Sequence, residues 1–260
     1  MTGETAILGV EDLRKRYGGK RGREGTTALD GVSFDLAEGE TLGIVGESGS
    51  GKSTLARILV RLAPADGGVV HFRGVDVLRP DRVQARRLTR EIQIVFQDPY
   101  SAMHPRHTVR QALREAARVA GTAEGDLDDQ LAGLLDSVGV SPDKLTAYPH
   151  QLSGGQRQRI AIARALAVEP SIIIADECVS ALDVSVQSSI LNLLLELQQS
   201  RGLSYLFISH DLAVVNHMSD RIIVMKDGRI VESGHADEVI NHPQESYTKE
   251  LLSSLPGAGR

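Results

Sequence analysis

Gly46-Glu47-Ser48-Gly49-Ser50-Gly51-Lys52-Ser53-Thr54 gathers glycines, a lysine and hydroxyls into one short stretch. The glycines let the backbone turn tightly with its N–H groups inward, and a helix opening directly afterwards adds partial positive charge, so the stretch suits a phosphate group. Lys52 is spaced to reach the β- and γ-phosphates of a nucleoside triphosphate, and the Ser53 hydroxyl to ligate Mg²⁺. An ordinary glycine-rich turn is the plain alternative. The apolar run Leu42-Gly43-Ile44-Val45 before the stretch and the helical run Leu55-Ala56-Arg57-Ile58-Leu59 after it decide between the two, because a phosphate-binding loop has meaning only in that setting.

Two further stretches carry chemistry. Ile172-Ile173-Ile174-Ala175-Asp176-Glu177 sets two carboxylates at the carboxyl end of a buried strand, where open α/β sheets bind ligands. Beside a phosphate loop, Asp176 can hold Mg²⁺ directly or through water, and Glu177 can polarise an attacking water; alone, an Asp-Glu pair after a strand is a solvated loop. Leu152-Ser153-Gly154-Gly155-Gln156-Arg157-Gln158-Arg159 contains a capping box between Ser153 and Gln156, which fixes a helix start. The two glycines leave its amides open to an anion, and a simple N-cap would need neither.

The elements that must position these residues are legible as patterns. Residues 7–13 and 29–36 read as strands of a small N-terminal sheet, with the basic, glycine-rich loop 18–25 between them and Tyr17 just before it. Tyr17 is either a half-buried strand aromatic or a ring that stacks on a nucleotide base. After the turn 64–68, a strand pair covers 69–73 and 75–78, a basic helix 82–90, and a buried strand 92–96. From 108 to 168 the pattern is helical: Thr108-Val109-Arg110-Gln111 opens a helix with Val109, Leu113, Ala116 and Ala120 inward, stopped by Gly121, and Leu127, Leu131, Leu134, Leu135 and Val138 form a second. Strand and helix then alternate over 171–209, as in a mostly parallel α/β sheet, followed by a hairpin turning at Asp227-Gly228 and short closing helices at 236–240 and 247–255.

Composition narrows the function. The 260 residues are 41% apolar and 24% charged, as expected of one globular unit, and the net charge of −5 with no Trp and few aromatics argues against nucleic acid as a partner. A single cysteine, Cys178, excludes an intrachain disulfide or a thiolate cluster and fits a reducing compartment. Residues 1–16 lack the apolar segment of a signal peptide, and no apolar run approaches the roughly 20 residues needed to cross a bilayer.

The Ser153–Gln156 stretch, with the rest, closely resembles the nucleotide-binding subunits of ABC (ATP-binding cassette) transporters, and the resemblance covers nearly the whole chain in order. Tyr17 matches the adenine-stacking aromatic, 46–54 the phosphate loop, and Gln97 the loop glutamine that contacts Mg²⁺ and faces the permease. Ser153, Gly154, Gly155 and Gln156 match the signature, Asp176 and Glu177 the metal-binding and catalytic acids, Ser180-Ala181-Leu182-Asp183 the loop across the dimer interface, and His210 the switch histidine. Phe96-Gln97-Asp98-Pro99-Tyr100-Ser101-Ala102-Met103-His104-Pro105-Arg106, Asp183-Val184-Ser185-Val186-Gln187 and Tyr247-Thr248-Lys249-Glu250-Leu251-Leu252 resemble the dipeptide, oligopeptide and nickel importers within that family. Cys178 and Val179 stand where many members carry Pro and Thr, which touches packing beside the site.

The resemblance implies a P-loop NTPase core with a mostly parallel sheet and an antiparallel β subdomain over 1–96 and 169–235, an inserted helical subdomain over 97–168, and a tail over 236–260. It implies ATP and Mg²⁺ as ligands, with Lys52, Glu177 and His210 catalytic, and Ser53, Gln97 and Asp176 holding the metal. It further implies a head-to-tail dimer with itself or a sister ATPase, two membrane permeases, an extracytoplasmic binding protein reached indirectly, and a place on the cytoplasmic face of the membrane. Two other readings remain. An ABC ATPase of DNA repair or translation should carry a coiled-coil arm, zinc cysteines or a basic surface, and an exporter ATPase should lack the importer-like glutamine loop. His104 and His107 read as surface histidines, Cys178 as a small buried apolar residue, and the basic loop at 20–23 as solvated rather than as a lipid contact.

Overall fold

The computed structural model describes residues 6–18, 25–98, 103–121 and 127–253. The basic loop at 20–23 and Pro99 to Ala102 of the glutamine loop therefore lie outside the described residues.

Two sheets organise the chain. β1 (Ala6–Tyr17), β2 (Thr26–Ala37), β4 (Gly67–Phe72) and β5 (Val75–Asp76) form an antiparallel sheet in the order β2-β1-β4-β5. β3 (Thr41–Val45), β6 (Ile92–Phe96), β7 (Ile172–Asp176), β8 (Ser204–Ile208), β9 (Arg221–Lys226) and β10 (Arg229–His235) form the second, in the order β10-β9-β3-β8-β7-β6. Only the β9–β10 hairpin is antiparallel in it, turning at Asp227 and Gly228, both at positive φ as a two-residue hairpin turn demands.

Helices cover both faces, which is why β3, β7 and β8 read as unbroken apolar runs and are buried throughout. Successive side chains still point to opposite faces. Ile172, Ile174, Leu206 and Ile208 join a core with β1, β2, β4 and α1 (Lys52–Leu59), whereas Ile173, Ala175, Tyr205 and Phe207 join a second core with the helices beyond. That second core packs α3 (Val109–Ala120), α4 (Leu127–Ser137), α5 (Gly154–Leu166), α6 (Val184–Arg201) and α7 (Leu212–Met218), and takes in Ala236 and Val239 of α8 (Ala236–Asn241) and Tyr247 of α9 (Ser246–Ser253).

Helix starts follow the sequence closely. Capping boxes form at Asp81 for α2 (Arg82–Glu91), at Thr108 for α3 and at Ser153 for α5. The buried face of α3 is Val109, Ala112, Leu113, Ala116 and Ala117, so Ala120 is only partly covered and the helix is turned slightly from the expected inward set. Among the described residues, no helix is long and apolar enough to cross a membrane.

Candidate functional site

Strand register assembles the site. Phe96, Asp176 and Ile208 are aligned across the adjacent parallel strands β6, β7 and β8, and Ile208 is aligned in turn with Ile44 of β3. The residues that follow each strand therefore emerge side by side along one edge, about 4.8 Å apart per strand. Gln97 leaves β6, Glu177 leaves β7, His210 leaves β8 and the 46–54 loop leaves β3. Residues spread over more than 160 positions of sequence meet because four strands end together at their carboxyl ends.

The loop after β3 has the form of an anion cradle. Asp81, Thr108, Ser153, Asp183 and Asp211 cap the starts of α2, α3, α5, α6 and α7 with side-chain acceptors, but α1 starts from Gly51 with none. Its first amides are left for an outside acceptor. Gly51 holds φ of 107°, and a Cβ there would run into the Ala28 carbonyl oxygen, so only glycine fits. Lys52 is buried, with its Nζ donating to the Gly46 carbonyl at 2.6 Å, the Glu47 carbonyl at 2.9 Å and Ser50 Oγ at 3.3 Å. Burial pushes the Lys52 ammonium below its ordinary pKa, while the charges of Glu177, Asp176 and Glu47 pull it back up.

At the far end of the loop, Ser53 Oγ donates to Asp176 Oδ1 at 3.2 Å, and both line a cleft of about 240 Å³ with Gln97, Asp98, Glu177 and Arg57. Burial raises the Asp176 pKa; the Ser53 hydrogen bond opposes the rise, and the Glu177 charge adds to it. His210 Nδ1 lies 3.5 Å from Glu177 Oε2. Glu177 itself sits at φ of 51°, unusual for a residue with a side chain, and its N–H donates to the Ile208 carbonyl at 2.9 Å. Nothing in the local sequence signals that conformation. Arg57, Asp98 and this backbone twist are the parts of the cleft that sequence reasoning missed.

Among the described residues no group of three or more His, Cys, Asp or Glu side chains could cage a metal. Mg²⁺ does not require one: it keeps several waters and takes one or two hard oxygen ligands from the protein, with phosphates supplying others. The hydroxyl, carboxylate and amide oxygens of Ser53, Asp176 and Gln97, gathered on one cleft, suit that chemistry.

The remaining expected residues stand apart from this cleft. Ser153 Oγ accepts the Gln156 amide at 3.2 Å, and the Gln156 side chain accepts the Ser153 amide at 3.0 Å. A Cβ on Gly155 would lie 2.7 Å from Val186 Cγ1, so this glycine also permits close packing of α5 on α6, a nonlocal demand that the sequence could not reveal. Asp183 caps α6 by accepting the Val186 amide at 2.9 Å, which holds its carboxyl below the usual range. Tyr17 ends β1 with 44% of its surface exposed and the Lys15 ammonium 5.2 Å from the ring centroid.

Cys178 is 2% exposed, and burial pushes its thiol up to about 12. At pH 8 its thiolate fraction should fall roughly 10³-fold below that of a free cysteine, so the folded chain is expected to resist iodoacetamide and to react only once unfolded. Mass-shift analysis of native and denatured samples checks this; equal labelling would restore Cys178 as a redox candidate. His104 and His107 pair their rings at 4.6 Å, and His107 Nδ1 lies 3.0 Å from Glu115 of α3, which suits a surface contact.

The chain belongs to the ABC transporter family, whose profile matches residues 29–180. Among curated relatives it is 53% identical over 234 residues to the glutathione import ATP-binding protein GsiA of Escherichia coli (strain K12), covering 89% of this chain but 37% of that one. It is 47% identical over 256 residues to the dipeptide transport ATP-binding protein DppF of the same organism, covering 96% of this chain and 76% of DppF. The chain thus spans little more than a third of GsiA. Among solved structures, cbiO1 from Clostridium perfringens, part of the ABC transporter complex cbiONQ, matches with a TM-score of 0.79 at 31% identity over 91% of each chain. The ATP-binding cassette MJ0796, solved as a dimer in a post-hydrolysis state bound to ADP and Pi, matches with a TM-score of 0.76 at 31% identity over 88% of this chain and 99% of that one. The fold is that of an ABC ATPase, with one antiparallel sheet and one mostly parallel sheet.

Proposed function

We propose that this chain binds and hydrolyses ATP as the energy-coupling subunit of an importer of small peptides. The observation that carries the reading is the convergence of the phosphate loop, Gln97, the Asp176-Glu177 pair and His210 on the carboxyl ends of four neighbouring strands. A strong likeness to glutathione and dipeptide importer subunits supplies the cargo class, which the cleft alone does not.

The loop amides of 46–54 and Lys52 hold the phosphates, and Tyr17 stacks on the adenine. Ser53, Gln97 and Asp176 are the residues that hold Mg²⁺, which when bound neutralises phosphate charge and lowers the barrier to attack. Glu177 takes a proton from the attacking water, and His210, within reach of that carboxylate, contacts the γ-phosphate. Ser153 already accepts from the Gln156 amide, and its hydroxyl can still donate to a phosphate presented by a second cassette. With Gly154, Gly155, Gln156 and Asp183 it forms the face that closes over a partner's ATP. Contacts to the γ-phosphate that exist only in the closed dimer bias closure, and hydrolysis removes the bias.

In this reading 1–96 and 169–235 are the nucleotide-binding core with its β subdomain, 97–168 is the helical subdomain with the signature, and 236–260 is the C-terminal tail. The partners are a second ABC ATPase subunit, two integral membrane permeases that the chain meets at the cytoplasmic face of the membrane and, through them, a substrate-binding protein outside. Leu62, 65% exposed, lines a cleft with Val60, Gln93 and Ile94 beside β6, the strand that leads into Gln97, and supports a docked partner there. Affinity purification of tagged Glu177→Gln protein from detergent-solubilised membranes with ATP and Mg²⁺ tests the assignment. Two polytopic permeases should co-purify; recovery of ribosomal or DNA-repair proteins alone would overturn it.

A further inference from the structure

The phosphate loop is tied from outside by a residue that belongs to the tail. Glu47 N–H donates to Tyr247 Oη at 3.1 Å across 200 positions of sequence. Tyr247 is 5% exposed, and its ring is overlaid by the Lys226 ammonium, 4.3 Å from the centroid, at the end of β9. The start of α9 is fixed in turn by Glu232 of β10, whose Oε1 accepts the Gln244 amide at 2.8 Å and whose Oε2 accepts the Glu245 amide at 3.2 Å. The same hairpin supplies a second tie, from Gly228 N–H to the Ser50 carbonyl at 3.1 Å.

We infer that Tyr247 is a positioning residue for nucleotide binding: its hydroxyl fixes the phosphate loop at Glu47, so that the amides farther along the loop and at the start of α1 stay aimed at the phosphates. The inference rests on the ATP-binding reading above. A nest of amides binds an anion well only if it is held in shape before the anion arrives, since ordering it on binding costs affinity. Glu47 stands at the entry of the loop, where an unfixed peptide would let the following residues rotate. Its amide faces the tail, so the tie takes no donor from the phosphate site.

Tyr247→Phe removes the hydroxyl and keeps the ring under Lys226. For the full chain, titration with MgADP in a calorimeter is expected to give about 2- to 10-fold weaker binding, the range that one net hydrogen bond supplies. The thermal midpoint should move by no more than about 4 °C. Hydrogen exchange of the nucleotide-free protein should accelerate at 46–51. Wild-type MgADP affinity with unchanged exchange there would overturn the inference, as would a lowered midpoint with wild-type affinity, which would make Tyr247 structural only. Wild-type protein that binds no MgADP would instead overturn the ATP-binding reading, and the exchange comparison, which needs no nucleotide, would still decide whether Tyr247 holds the loop.

Discussion

Replacing Glu177 by Gln is expected to slow ATP hydrolysis roughly 10²- to 10⁴-fold while ATP binding survives, the usual consequence of removing a general base. The amide has nearly the carboxylate's shape and keeps a carbonyl oxygen toward His210, but it cannot take a proton from water. Gln is also the informative substitution because the backbone at 177 is held at positive φ between the end of β7 and the Ile208 carbonyl. A small or branched replacement would mix a backbone effect into the kinetics. Binding should hold or tighten slightly, since one negative charge leaves a cleft that must accept phosphates. Phosphate release under saturating ATP, beside nucleotide affinity measured by calorimetry, checks both halves; unchanged turnover would remove Glu177 from the chemistry.

How much of this site was legible from sequence depends on the range of the interaction. Local signals were read well. The phosphate loop lies between the strand and helix that its flanks demanded, β6 spans the expected 92–96, the capping boxes at Thr108 and Ser153 form, and the hairpin turns at Asp227-Gly228. Each depends on residues a few positions apart. The strand ends beside Asp176 and His210 were also clear, because strands buried on both faces leave unbroken apolar runs.

What was not legible depends on neighbours far away in sequence. An all-apolar strand does not reveal which side chains face which core, and the division of Ile172 and Ile174 from Ile173 and Ala175 appears only when both layers of packing are present. The helical rotation that buries Ala112 and Ala117 in place of Ala120 is set by α4 and α5, not by α3. Gly155 reads as an open amide and also proves to be a contact point for Val186. Tyr247 is the strongest case, a tail residue that by pattern only closes the fold yet reaches the phosphate loop.

Lys52→Ala should separate binding from chemistry in the opposite sense to Glu177→Gln. The ammonium is the buried cation of the loop, and in the nucleotide-free chain it is occupied by the Gly46 and Glu47 carbonyls and Ser50 Oγ. It therefore both closes the loop on itself and stands ready to exchange those acceptors for phosphate oxygens. Burial pushes its pKa down, and the nearby charges of Glu177, Asp176 and Glu47 oppose that fall. Losing a charged hydrogen-bond donor of this kind is expected to weaken MgATP binding roughly 10- to 100-fold. Lys52→Arg should not restore it, because a planar guanidinium is too broad for a pocket shaped around one compact ammonium. Calorimetric titration of the three proteins decides the matter: full affinity in the alanine variant would take Lys52 out of the site, and full affinity in the arginine variant would mean that the loop requires charge but not shape.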